Sequence, residues 1–225
     1  MARPSIRREL RRVGLTAVVS AAPRRQGPRP PAVLLPGEPE DAGPLDLVAF
    51  FGRPAPTELE IGTGKGRFLL AEAALHPERN YLGLELQHEY ARIARARAEK
   101  RGLTNVRLAR ADGKAFVELR LPPGGLARMH VFFPDPWPKK RHHKRRLFDA
   151  AFAAAAARAL ESGGLLRVAS DHEEYFAAIV GTLGAEPALA RVPDAELGDW
   201  RCGTNYEVKF LEEGRWIGRA VYRRV

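Results

Sequence analysis

The sequence predicts an α/β fold: a Rossmann-like, doubly wound sheet that is mostly parallel and closes with a C-terminal antiparallel hairpin. Three observations carry that expectation. Strand-like and helix-like stretches alternate five times between residues 57 and 183, the mark of a parallel sheet with helices on both faces. A glycine-rich turn, Glu60-Ile-Gly-Thr-Gly-Lys-Gly66, sits where the first strand should pass into the first helix. After residue 200 the alternation stops and two β-rich runs follow each other.

The elements are read in order. Residues 1–43 are rich in Arg, Pro and Gly, with GPRPP and PGEPEDAGP segments, and such a stretch buries too little to fold alone. They are expected to form a mobile basic arm, and residues 44–225 a single domain. An apolar patch at 45–51 predicts a helical turn over the sheet edge, with the sheet itself starting near Thr57. Strands are expected at 57–62, 81–86, 106–111, 129–133 and 165–170. Helices are expected at 65–76, at 88–100 with Gly102 closing it, at 113–119, at 145–160 and at 173–183. The helix at 145–160 carries Leu147, Ala151, Ala155 and Ala159 on one stripe and should stop at Gly163-Gly164. The runs 206–211 and 216–222, joined by Glu212-Glu213-Gly214, read as the hairpin, with Trp200 and Trp216 in the core around it. Five parallel strands and an antiparallel pair differ from the six-strand dinucleotide fold and suit the methyltransferase variant of the sheet.

Composition narrows the classes. The chain has 225 residues, 45% of them hydrophobic, enough for one substantial domain. Thirty-seven Lys and Arg against 27 Asp and Glu give a formal charge of +10, which favours a polyanionic partner. The one cysteine, Cys202, allows no internal disulfide and builds no zinc site alone, so a reducing, cytoplasmic setting is expected. Arg7, Arg8, Arg11 and Arg12 ahead of an apolar stretch imitate a signal peptide, but Gly14, Thr16 and Ser20 interrupt it. No run approaches the roughly 20 apolar residues of a membrane span, so no membrane partner is expected.

The chemistry gathers at the C-terminal ends of the expected strands, where ligands bind in open α/β sheets. Gly62 and Gly64 allow a tight turn and close backbone approach to a ligand. Glu85, ending the second strand, is placed to accept both hydroxyls of a ribose. NAD enzymes share that device, but Glu60 ahead of the glycines would repel a pyrophosphate, whereas it suits a sulfonium and an amino-acid ammonium. Asp112, after the third strand, reads either as an adenine contact or as the N-cap of the helix at 113–119. The ligand that fits is S-adenosylmethionine.

The fourth strand leads into Phe133-Pro-Asp-Pro-Trp-Pro138, where alternate prolines keep the backbone extended and hold Asp135 and Trp137 at the rim. Trp137 could stack on an extruded base or simply pack. Residues 139–146 are all Lys, Arg or His. Such runs are commonly solvated tails or localisation signals, but this one lies mid-chain between a buried strand and an alanine-rich helix, placed to bind a polyanion. His142 and His143 face different directions and have no companion ligands, so no metal is expected.

FPDPWPKKRHHKRR, with EIGTGKG upstream and GTNYE downstream, resembles the bacterial tRNA (guanine-N7-)-methyltransferase family, and the likeness runs from about residue 45 to the C-terminus. It implies methyl transfer from S-adenosylmethionine to N7 of a guanosine in the tRNA variable loop. Position by position, it implies that Glu60, Glu85, Asp112 and Asp135 contact the methyl donor, with Asp135 also in the active site. Lys139, Asp171, Thr204, Asn205, Tyr206 and Glu207 match substrate contacts. Arg141, His142, His143, Lys144, Arg145 and Arg146 match an RNA-facing loop. Asp171 and Glu207 are expected to accept from guanine N1–H and its exocyclic amine. Competing expectations are a methyltransferase of the same fold acting on another RNA atom, a non-catalytic RNA-binding protein and, more distantly, an NAD-dependent oxidoreductase.

Overall fold

The computed structural model describes residues 43–197 and 200–225, so the basic arm, apart from Gly43, lies outside the described residues. Seven strands form one sheet in the order β3-β2-β1-β4-β5-β7-β6. They are β1 (Thr57–Ile61), β2 (Asn80–Leu84), β3 (Val106–Ala109), β4 (Leu126–Phe132), β5 (Leu160–Ser170), β6 (Leu189–Arg191) and β7 (Gly218–Arg224). The first five pair in parallel, and β7 runs antiparallel to both β5 and β6. The strand order reverses between β1 and β4, which opens the crevice at their C-terminal ends.

The helices are α1 (Leu47–Phe51), α2 (Arg67–Leu75), α3 (His88–Lys100), α4 (Gly113–Leu119), α5 (Ala150–Ala159), α6 (Glu173–Gly184), α7 (Asp194–Leu197) and α8 (Asn205–Glu212), with a 3-10 helix at Lys140–Arg145. Alternation along the strands sorts the core. Leu59, Met129, Val131, Leu166 and Val168 point to one face and pack with Phe116, Phe152, Ile179 and Leu183 of α4, α5 and α6. Tyr81 and Leu108 point to the other, against Leu69, Leu70, Ala94 and Ala98 of α2 and α3. As expected, α1 covers the sheet edge: Phe50 and Phe51 are buried, and Arg107 of edge strand β3 donates to both of their carbonyls.

On the second face the sheet also buries charge. Glu58 of β1 is fully buried and accepts from Arg79 at 2.6 Å and Arg128 at 3.2 Å, with His130 Nε2 at 2.9 Å. Burial pushes the Glu58 carboxyl up, but His130, Arg128 and Arg79 together outweigh it and hold the carboxyl at about 2. The network therefore favours the fold above the ordinary carboxylate pKa and is lost as the pH falls through the lowered one.

Two regions differ from the sequence reading. The helix expected at 145–160 is shorter. Asp149 caps it by accepting from Phe152 N–H at 2.9 Å, a contact worth about 1 kcal/mol, and the basic residues before it form the 3-10 helix. Nor do Gly163-Gly164 end it: the backbone is already extended at Leu160, and both glycines lie in a bulge of β5, where Leu126 opposes Leu160 but Arg128 opposes Leu165. A Cβ on Gly164 would stand 2.8 Å from the Glu161 carbonyl, so backbone crowding, not helix termination, demands glycine there.

The second correction is the terminal hairpin. The antiparallel ending exists, but it is made by β7 with β5 and β6, and residues 206–211 are helix α8. Thr204-Asn-Tyr-Glu207 is an N-terminal capping sequence: Thr204 Oγ1 accepts from Glu207 N–H at 3.0 Å, and the Glu207 carboxylate reaches back to Gly203 N–H at 2.7 Å. Trp216 is 44% exposed and lies against Phe176 instead of in the core. Trp200 packs beside Phe132.

Candidate active site

At the β1–β4 switch point a cavity of about 230 Å³ is lined by Glu60, the Gly62–Lys65 turn, Arg67, Phe68, Tyr90, Phe132 and the first turn of α8. Gly62 and Gly64 have φ of 77° and 53°, in the left-handed region, and a Cβ on either would meet nothing within 4 Å. The backbone thus leaves a cradle a ligand can enter. Gly66 is tight for a different reason: a Cβ there would lie 3.1 Å from Ala94 Cβ, so it sets the close approach of α2 to α3.

Glu60 is 3% exposed and its Oε2 has no hydrogen-bond partner. A carboxyl buried without a cation favours its neutral form. Burial pushes it up to about 8, opposed by a hydrogen bond from Leu69 N–H and reinforced by the charge of Glu85. The folded pKa exceeds the ordinary 4.5, so the folded state holds the proton longer than the unfolded one, and stability declines as the pH rises from about 4.5 to about 8. Glu60→Gln should remove that decline. Thermal unfolding across this range is expected to show the variant gaining several degrees on the wild-type protein as the pH rises, and parallel pH profiles would contradict the assignment.

Glu85 accepts from Gly64 N–H at 2.8 Å with one oxygen and from Gln87 N–H at 2.7 Å with the other, clamping the glycine turn to the end of β2. Asp112 accepts from Ala115 N–H at 3.0 Å as the N-cap of α4, the second of its two readings. Asp135 is exposed in the loop after β4, bracketed by Phe133 and Trp137 at φ of 53° and 44°. Neither Glu85, Asp112, Asp135, Lys139 nor Asp171 is among the cavity's lining residues. Geometry ties the Asp135 loop to the cavity through Phe133, whose ring lies 6.3 Å from that of the lining residue Tyr206; burial, then the charges of Tyr90, Asp135 and Glu85, push the Tyr206 hydroxyl pKa up.

The other expected substrate residues divide. Thr204, Asn205 and Tyr206 line the cavity. Asn205 Oδ1 accepts from Arg67 at 3.2 Å, and Tyr206 lies 5.9 Å from Phe210 and 6.3 Å from Phe133, ring to ring. Asp171 is ion-paired with Arg215. Glu207 is buried, accepting from Arg219 at 2.6 Å and from Gly203 N–H. Burial would raise its pKa, but Arg219 and the backbone donors hold its carboxyl below the usual range. It therefore does not offer the free carboxylate expected for guanine.

Lys139, Lys140, Arg141, Lys144 and Arg145 are exposed and His142 and His143 half-buried. Arg145 lies 4.9 Å over the Trp137 ring and His142 meets that ring edge-on, so Trp137 packs within the basic loop. Arg146 differs from its neighbours: it is buried and bonded to Pro136 and Glu174, not turned outward. Tyr90, Phe132, Arg67 and Lys209 line the cavity unforeseen; only Arg67, next to the glycine turn, carried a positional signal. Among the described residues no group of three or more His, Cys, Asp or Glu could hold a metal ion, and no helix is long and apolar enough to cross a membrane.

Comparison with known proteins gives a consistent context. A family model described as "Putative methyltransferase" matches residues 54–220. A tRNA (guanine-N(7)-)-methyltransferase of Bordetella pertussis is 40% identical over 183 residues, covering 80% of this chain and 72% of that one. One of Polaromonas sp. is 38% identical over 228 residues, covering 98% and 90%. In fold, the chain is similar to a SAM dependent methyltransferase from Aquifex aeolicus, with a TM-score of 0.52 at 14% identity over 80% of this chain and 88% of the other.

Proposed function

Because the chain belongs to the tRNA (guanine-N7-)-methyltransferase family, we propose that it methylates N7 of a guanosine in the variable loop of tRNA, using S-adenosylmethionine. One observation carries the reading: the Glu60 carboxyl, whose Oε2 has no partner, lines a cavity beside an open glycine cradle at the switch point, while the adjacent strand β4 leads into an exposed cationic loop. The cradle and the acid fit the donor, since a bound ammonium would supply the partner that Glu60 Oε2 lacks.

When bound, the donor supplies an electrophilic methyl group on a positively charged sulfur. Guanine N7 carries an in-plane lone pair, so no proton has to be removed and no general base is needed. The protein's part is alignment and electrostatics. Asp135 and Glu85 keep negative potential at the cavity mouth, where positive charge passes to the purine. Tyr206 and Asn205 form the wall against which the base is held, and Glu207 fixes that wall through Arg219; Lys139 and Asp171 are assigned to the substrate by resemblance to the family.

The test is incubation of the purified protein with methyl-labelled donor and bulk tRNA, followed by nucleoside analysis. Label in 7-methylguanosine is the expected result. Label in another nucleoside moves the reaction to a different atom, and absence of both label and S-adenosylhomocysteine binding leaves only an RNA-binding protein.

A further inference from the structure

Arg146 ends the basic run, and on charge alone it would be a phosphate ligand like its neighbours. Its surroundings differ from theirs. Its side chain is 8% exposed. Nε donates to the Pro136 carbonyl at 2.8 Å, Nη1 and Nη2 donate to the two oxygens of Glu174 at 3.1 and 3.2 Å, and the guanidinium lies 4.7 Å over the Tyr175 ring. A fork so engaged has little left for RNA.

What it holds is the segment that carries Asp135. Phe133 and Trp137, either side of Pro134-Asp135-Pro136, are the two non-glycine residues with positive φ among the described residues, a backbone state that side chains rarely adopt and that persists where neighbouring structure enforces it. The Pro136 carbonyl lies inside that strained span, next in sequence to Asp135. The far end of the fork is seated on Glu174, in the first turn of α6, so the loop is referenced to a rigid helix.

We propose that Arg146 is a positioning residue for methyl transfer: by fixing the Pro136 carbonyl against α6 it holds the Asp135 carboxylate at the cavity mouth. The inference rests on the functional reading above, with Asp135 as the active-site acid. It separates the last residue of the basic run from the phosphate-binding role of the rest.

Arg146→Lys keeps the positive charge but cannot make the fork. Its expected kcat is about 10- to 100-fold below wild type, the size of loss a small misplacement causes, with tRNA affinity within about threefold and an unchanged salt dependence. Arg141→Ala provides the contrast, flattening the salt dependence of tRNA binding by about one contact. Glu174→Ala should lower kcat in the same direction, and in a protein already carrying Asp135→Ala, Arg146→Lys should cost nothing further. Circular dichroism and S-adenosylhomocysteine binding establish folding; should Arg146→Lys not fold, Glu174→Ala alone and combined with Asp135→Ala decides. Wild-type kcat in Arg146→Lys, a salt slope reduced as in Arg141→Ala, or an undiminished further loss in the Asp135→Ala background overturns the proposal. If the wild-type protein makes no 7-methylguanosine, it is the functional reading that fails instead.

Discussion

Asp135→Ala is expected to lower kcat for tRNA methylation by about 10²- to 10³-fold, the usual consequence of deleting one preorganised group that meets developing charge. Asp135 is exposed, so its removal should leave the fold and tRNA affinity near wild type. Asp135→Asn separates charge from shape: it fits the same loop between the two prolines but carries no negative potential. Single-turnover kinetics with saturating tRNA should show the asparagine variant nearly as slow as the alanine variant. A rate close to wild type in asparagine would mean that hydrogen bonding, not charge, is the carboxylate's contribution, and a full rate in alanine would remove Asp135 from the site.

The second large effect concerns affinity. Arg141, Lys144 and Arg145 are exposed in the 3-10 segment, and Arg145 is stacked on Trp137 at 4.9 Å. Each cation on a phosphate should contribute about 0.7 to 0.9 to the slope of log affinity against log salt. The triple alanine variant is therefore expected to bind tRNA more weakly and with a slope reduced by about two to three. The deficit should be greatest at low salt and shrink as salt rises. Filter binding over a salt series measures this, and an unchanged slope would show that the loop does not touch the backbone of the RNA.

The central sheet was legible because β1 and β2 are short, buried along their whole length and bounded by turn residues: β1 alternates Leu59 and Ile61 with Glu58 and Glu60, and β2 is a mostly apolar run around Gly83. The helices α3 and α4 were legible to the residue because Gly102 and Asp112 punctuate them. Residues 206–211 were not. Tyr, Val and Phe favour strands in isolation, but the Thr204–Glu207 cap and the spacing of Tyr206 and Phe210 decide for helix, and that signal was present in the same letters. The third strand of the antiparallel edge, β6, is three residues long, too short to show a period. Charge alone could not reveal which member of the basic run turns inward, since the partner of Arg146, Glu174, is 28 residues away.

The ion pair of buried Glu207 with half-buried Arg219 moors the first turn of α8 to strand β7. That wall of the cavity is consequently tied to the sheet through a side-chain ion pair. With the wall so tied, we expect the distortion that brings a stacked base to it to fall on the RNA, so that molecules whose loop already splays its guanine outward are modified fastest. Preference among transcripts would then be governed by the ease of unstacking, with the catalyst serving as a fixed anvil.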